Sequence, residues 1–317
     1  MHARRHLLSV SFFTLLCALP AHAQREPGRC KAQLPANAEY REVLSVHMGN
    51  VNWPFIVLLP DGYSPADAVR YPVIYLLHGN TDDECIGPER SHIERVAAAG
   101  AGYPKFIYVF VNGGPTCRYT DNHVNCPSQK SESYIIKELI PHIDANYKTV
   151  ANRGGRALDG FSMGGEGAAK FGYKYSDMFC SFVAYSGHGA PPELTENMEK
   201  VLANKLQTRF VVGGAEGERV ATVQSHYDAV KAAGIPTSLE IVPGIAHSLP
   251  DLYDGAYGAA GIKTHFDCFA SAANDVPPEN TGGSGGVEVG GAQNGGATAG
   301  GAPAGGAPAS SGGSAST

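Results

Sequence analysis

A chain of 317 residues, 43% hydrophobic and 17% charged, is long enough to bury a substantial core. Its formal charge of −6 argues against a polyanionic partner such as nucleic acid. Glycine supplies 40 of the residues, so any glycine-containing motif needs structural context before it means anything.

Residues 1–23, MHARRHLLSVSFFTLLCALPAHA, combine a basic start, an apolar run from Leu7 to Leu19 and a small-residue AHA end. That is the pattern of a secretory signal peptide cleaved after Ala23. The apolar run is shorter than the roughly 20 residues a bilayer span needs, and no second run of that length follows. Cleavage would remove Arg4 and Arg5 and move the formal charge from −6 to −8. The expected product is an extracellular protein, or a periplasmic one in a bacterium, with no membrane span. Six cysteines remain after the signal: Cys30, Cys85, Cys117, Cys126, Cys180 and Cys268. An even number in an exported chain points to disulfides. Cys117 with Cys126 is the one pair named from sequence, because the intervening RYTDNHVN reads as a clipped loop. There is no CxxC pair and no HExxH, so no structural metal is expected.

Residues 24–34 read as an N-terminal extension and 35–275 as the folded domain. Within that domain, 53–60, 71–79, 106–114, the RALDGF segment, 179–187, 209–214 and 237–244 read as strands. Their near-continuous hydrophobicity suits strands covered on both faces. Residues 131–147, the segment after Ser162, 194–206 and 218–234 read as helices, with Ile135, Leu139, Ile140 and Ile143 forming one apolar face. The alternation predicts an α/β fold with a mostly parallel central sheet. Ligands of such sheets bind at the carboxyl ends of the strands. From 276 to 317 the chain turns to glycine, alanine, serine and proline, a composition that reads as a disordered tail.

Gly160-Phe161-Ser162-Met163-Gly164 is a GxSxG sequence between a predicted strand and a predicted helix. A serine at that tight turn projects its oxygen above the sheet, and the following helix aims its first N–H groups at a developing oxyanion. A serine hydroxyl is a poor nucleophile at neutral pH, so a histidine must take its proton and a carboxylate must orient that histidine. Four histidines follow Ser162. His226 and His265 fall inside apparent helices, and His188 follows too soon to leave room for an acid strand. His247, just past the last predicted strand in IVPGIAHSLP, is the candidate base. The acid is assigned to Glu216, in the loop after RFVVGG. Glu218 stays open as the alternative, although its position suits the first turn of a helix, where it would stabilise the dipole. The oxyanion hole is expected to combine Met163 with Gly79 or Asn80 of YLLHGN, and His78 reads as a structural hydrogen bonder.

The runs YPVIYLLHGN, FIYVFVNGG, KELIPHIDANY, GFSMGGEGAAKFGYKYSDMF and VAYSG, with a late PGIAH, resemble the putative esterase family of the α/β-hydrolases. That family holds feruloyl and acetyl xylan esterases, S-formylglutathione hydrolases, enterochelin esterases and mycobacterial mycolyltransferases. The resemblance covers most of residues 40–250 and implies an α/β-hydrolase fold with nucleophile Ser162, base His247 and an acid at the GGAE turn. Two departures stand out. The acid is glutamate where the family more often has aspartate, and Glu166 stands where many members carry tyrosine or another neutral residue. Segment 80–125 matches no subfamily closely enough to name an acyl group.

The expected activity is that of a secreted serine carboxylesterase working through an acyl-enzyme without cofactor, on feruloyl or acetyl esters of plant-wall polysaccharide. An acyltransferase would use the same triad, and a non-catalytic binding protein on this fold should have lost one triad member. Arg118, Tyr119 and Asn122 of GGPTCRYTDNHVNC are candidate substrate contacts. Trp53 reads as packing.

Overall fold

The central sheet has eight strands: β1 (Ala38–Ser45), β2 (Val51–Leu58), β3 (Val73–Leu77), β4 (Ile107–Val111), β5 (Arg156–Phe161), β6 (Ser181–Tyr185), β7 (Gln207–Gly213) and β8 (Thr237–Val242). Their spatial order is β1-β2-β4-β3-β5-β6-β7-β8. The first two pairings, β1 with β2 and β2 with β4, are antiparallel, and the remaining five are parallel. This is a computed structural model and it describes residues 28–275 apart from positions 67, 91 and 190. The expected signal peptide and the glycine-rich tail lie outside the described residues. No described helix is long and apolar enough to cross a membrane.

Strand side chains alternate between two buried clusters, as period-two geometry demands. Val73, Tyr75 and Leu77 of β3 join the core on one face, under Tyr134, Ile135, Leu139, Ile140 and Ile143 and under Ala168 and Phe171. Ile74 and Leu76 join the other, against Ile93 and Val96 of a helix at His92–Ala99 and Ile262 and Phe269 of a helix at Gly255–Asp275. Coverage on both faces explains why β3, β4 and β6 read as near-continuous apolar runs.

Several elements differ from the sequence expectation. Strand β1 was not foreseen: it is an edge strand of mostly half-exposed residues, so it carries no apolar run. Strand β2 starts at Val51, and β3 is trimmed to Val73–Leu77. The helix expected over 194–206 is two short ones, Pro191–Glu196 and Met198–Ala203. The helical segment from Ser131 to Asn146 contains a π-helical stretch at Ile135–Leu139. Trp53 packs at the edge of the core and donates its indole N–H to the Asn112 carbonyl at 2.7 Å.

All six cysteines among the described residues pair: Cys30–Cys85, Cys117–Cys126 and Cys180–Cys268. The first of these, with Arg29 bonded to Asp83, fastens the segment before β1 to the loop after β3. Cys180–Cys268 joins the start of β6 to the last helix across 88 residues of chain, so it removes much freedom from the unfolded state.

Glu132 couples the Ser131 segment to the helix that follows Ser162. It accepts from Lys174 at 2.5 Å and Tyr175 at 2.6 Å, and pairs with Lys170 at 2.9 Å. Burial pushes this carboxyl up, and the bonds from Lys174, Tyr175 and Lys170 outweigh it, leaving Glu132 at about 2. Stability from a depressed carboxyl is present above its unfolded value and lost as pH falls through the folded one. Glu132→Gln should therefore cost on the order of 2 kcal/mol at pH 7. Urea titrations of the two proteins should converge as the pH is lowered from the ordinary carboxylate range toward about 2.

Candidate active site

Strands β5 to β8 run parallel and end in register, Phe161 beside Tyr185, Tyr185 beside Val211 and Gly213 beside Val242. The loops that follow them therefore emerge on one rim of the sheet. Ser162 begins the first loop at φ 55° and ψ −115°, capping the helix Met163–Lys174. A residue with a Cβ adopts that conformation only where its surroundings enforce it. The enforcement is visible on both sides. A Cβ on Gly160 would lie 2.0 Å from the Gly164 carbonyl oxygen, and one on Gly164 would lie 1.9 Å from that of Leu77. Backbone thus presses on backbone across the turn, and the GxSxG spacing is a packing requirement.

Past β8, His247 turns back so that its Nε2 lies 2.8 Å from Ser162 Oγ. Its Nδ1 lies 2.6 Å from Glu216 Oε2. The ring packs against Phe161, with centroids 4.7 Å apart. Glu216 follows β7, and its side chain is only 2% exposed. Besides His247 it accepts from the Ser186 hydroxyl and from the Gly213 amide at 2.8 Å, and Arg219 Nε sits 3.2 Å away. Burial pushes the Glu216 carboxyl up, but the bonds from His247, Ser186 and Gly213 outweigh that and hold it below the ordinary value. It is therefore ionised wherever the imidazole needs a counter-charge. Glu218, the alternative acid, instead opens the helix Glu218–Ala232.

Met163 is the first residue of the helix, where N–H groups have no intrahelical acceptor. Gly79 and Asn80 lie just past β3, and Gly79 packs beside the Phe161 ring. His78 is fully buried and holds this loop: its Nε2 accepts from the Gly113 amide at 3.1 Å, so Nδ1 donates to the Gly79 carbonyl at 2.8 Å. Tyr119 is fully buried as well and donates its hydroxyl to the His78 carbonyl at 2.9 Å, which makes it a support beneath the loop and takes it off the surface. Asn122 is exposed on the far part of the disulfide loop with φ 52°. Arg118 reaches across to Glu166.

Sequence reasoning missed two residues of this rim, Ser186 and Arg219. Ser186 follows β6 in a left-handed conformation, φ 50°, and its hydroxyl meets Glu216. Arg219 donates to the Ser186 carbonyl at 3.0 Å and to His188 Nε2 at 3.2 Å while pairing with Glu216. His188 Nδ1 in turn lies 3.0 Å from Glu166 Oε1. The only sequence signal was a serine directly after an apolar strand, as at Ser162.

A second Ser–His–Asp series occurs deeper in the molecule. Ser181 Oγ lies 2.9 Å from His265 Nδ1, and His265 Nε2 lies 3.0 Å from Asp159 Oδ1. All three are fully buried, and Asp159 also accepts from Tyr108 and Tyr253, so no substrate reaches this series. Asp83, Glu84 and Cys85 also come within ligand distance of one another. There the sulfur is spent in a disulfide, Arg29 pairs Asp83, and burial pushes the Glu84 carboxyl up to about 7.

An eight-stranded, mostly parallel sheet flanked by helices, with a serine at a sharp turn above it, defines the α/β-hydrolase fold. Solved structures share it. A ferulic acid esterase aligns over 72% of this chain and 97% of its own with a TM-score of 0.59 and 24% identity. An S-formylglutathione hydrolase from Agrobacterium tumefaciens aligns over 75% and 98% with a TM-score of 0.59 and 19% identity. The family described as "Putative esterase" matches residues 45–235, and the chain belongs to that family. Among curated relatives, Esterase Rv1288 of Mycobacterium tuberculosis is 37% identical over 161 residues, 50% of this chain and 34% of its own. An endo-1,4-beta-xylanase/feruloyl esterase of Xylanibacter ruminicola is 29% identical over 198 residues, 60% of this chain and 26% of its own. The chain thus spans about a third or less of the curated relatives it matches.

Ser186→Ala removes one donor from a buried carboxylate, at a cost of about 1.5 to 3 kcal/mol in stability. Because Glu216 would then hold His247 less firmly, steady-state kinetics on an ester substrate should show kcat reduced roughly tenfold with KM little changed.

Proposed function

We propose that this protein is a secreted serine carboxylesterase that forms an acyl-enzyme on Ser162. The observation that carries the reading is the unbroken series from Oγ at the strained turn to His247 at 2.8 Å and on to Glu216 at 2.6 Å. His247 takes the serine proton as the oxygen attacks the ester carbonyl, and Glu216 offsets the charge that the imidazole gains. The Met163 amide, with that of Gly79 or Asn80, receives the developing oxyanion. His247 then returns the proton to the departing alcohol and activates water for deacylation. Every group required belongs to this chain. Three disulfides and the leader-like first 23 residues support an exported location. Feruloyl or acetyl esters of plant-wall polysaccharide are the proposed substrates, supported by the feruloyl esterase named among the relatives.

Hydrolysis of methyl ferulate, acetylated xylan and a short-chain nitrophenyl ester by wild type and Ser162→Ala tests the reading. Wild type should cleave at least one of the three, and the variant should lose at least about 10³-fold in kcat. Equal rates for the two proteins would remove the serine from the mechanism, and transfer to an added sugar in preference to water would make the enzyme an acyltransferase.

The pH profile supplies an independent check. Because the Glu216 carboxyl is held low, the imidazole alone loses function as the solution is acidified. A plot of log kcat/KM against pH should fall on its acidic side with the slope of a single protonation. A steeper limb would mean that a second group must also stay deprotonated.

A further inference from the structure

A groove of about 330 Å³ opens one helical turn along from Ser162, at Glu166. Its floor is the helix that follows the nucleophile, through Glu166 and Lys170; Glu166 lies one turn from Ser162, and its amide donates to the Ser162 carbonyl at 3.1 Å. One wall is the Cys117–Cys126 loop and the other is formed by His188, Gly189, Pro191, Pro192 and Glu193. A second groove, between Leu202 and Pro236, sits near the amino ends of β7 and β8, away from the triad.

The wall beside Glu166 is fixed before any ligand arrives. Arg118 and Tyr119 take left-handed backbone conformations, at φ 50° and 51°. The disulfide, the buried Tyr119 ring and the bonds from Lys170 to Tyr119 O and Thr120 Oγ1 hold them there. Several polar groups are already committed. Lys170 is shared among Tyr119, Thr120 and Glu132, and His188 sits beside Glu166 while accepting from Arg219. Two groups facing the groove are not. The Glu193 carboxylate has no partner among the described residues, and His123 accepts the Asn125 amide at Nδ1, which leaves its Nε2–H to donate. Next to them stand the exposed rings of Pro191 and Pro192.

Such a lining suits one chemistry. An acyl chain or aromatic ring would find apolar surface here in the two prolines and the aliphatic stems of Arg118 and Lys170, but would leave the polar and charged heads around it without partners. A polyanion would meet the carboxylates of Glu166 and Glu193. A ligand dense in hydroxyls, with C–H faces to lay on proline rings, uses the free acceptor, the free donor and the rings together. We propose that this groove is the subsite for the alcohol half of the ester, that this half is a saccharide, and that Glu193 and His123 select it. The proposal rests on the esterase reading and adds to it which half of the substrate is recognised, and by what.

The test uses the full chain with Glu193→Gln, Glu193→Ala and His123→Ala, none of which touches the triad. Substrates are paired by acyl group: nitrophenyl acetate with acetylated xylo-oligosaccharide, and methyl ferulate with feruloylated arabinoxylo-oligosaccharide. Each substitution should lower kcat/KM on the saccharide ester about five- to tenfold, mostly through KM. It should leave the matching simple ester within about twofold. Titration calorimetry of xylotetraose into Ser162→Ala, with and without Glu193→Ala, reads binding apart from chemistry and should show the affinity falling by the same factor. Unchanged saccharide hydrolysis, or an equal loss on both members of a pair, overturns the subsite while leaving the esterase reading standing. A wild type that cleaves none of the four substrates overturns both.

Discussion

A serine at φ 55° and ψ −115° lies outside the regions that residues with side chains prefer, and whatever holds it there determines the rest of the architecture. Here the restraint is the approach of three backbone segments: the end of β5, the first turn of the following helix and the end of β3. Without a Cβ at 160 and 164 the helix start settles onto both strand ends. That contact requires β3 and β5 to be adjacent and parallel, as they are, and requires the sheet to be covered on both faces so that the strand ends do not drift. Local strain of this kind costs about 1 to 3 kcal/mol, which a doubly covered sheet with three disulfides can sustain.

Around that turn the charged groups form one continuous chain. Arg118 meets Glu166, Glu166 meets His188, His188 meets Arg219, and Arg219 meets Glu216, which orients His247. Glu216 is consequently a fixed anion with donors on both oxygens, and its direction toward His247 is set from the far side. The same chain borders the groove, so the polar wall there and Glu216 are parts of one network. The sealed series of Ser181, His265 and Asp159 makes the contrast clear: similar distances without access form a structural bond network under β5.

The interior strands were legible because burial on both faces writes itself into a sequence as an apolar run. Strand β1 escaped because AEYREVLS is half-exposed at the sheet edge and carries no such signal. The last helix was legible only around His265. Its first residues include Gly255, Gly258 and Gly261, poor helix formers, and packing against β6 and β7 with the Cys180–Cys268 link overrides that preference. Ser162, His247 and Glu216 could be proposed from sequence because acyl-transfer chemistry dictates residue type and chain order, and the fold brings the three side chains together. Ser186 and Arg219 could not, since a hydroxyl or guanidinium acquires its role only from what lies across the rim. Tyr119 misled for a related reason: a polar-aromatic loop sequence looks like surface, and only the fold reveals that the ring turns inward beneath His78.

The most direct measurement is covalent labelling of the full chain with a fluorophosphonate, followed by intact and peptide mass spectrometry. An oxygen activated by His247 should give a single adduct located at Ser162, absent from Ser162→Ala and slowed by orders of magnitude in His247→Ala. No adduct, an adduct at another residue, or labelling of His247→Ala at the wild-type rate would contradict the account.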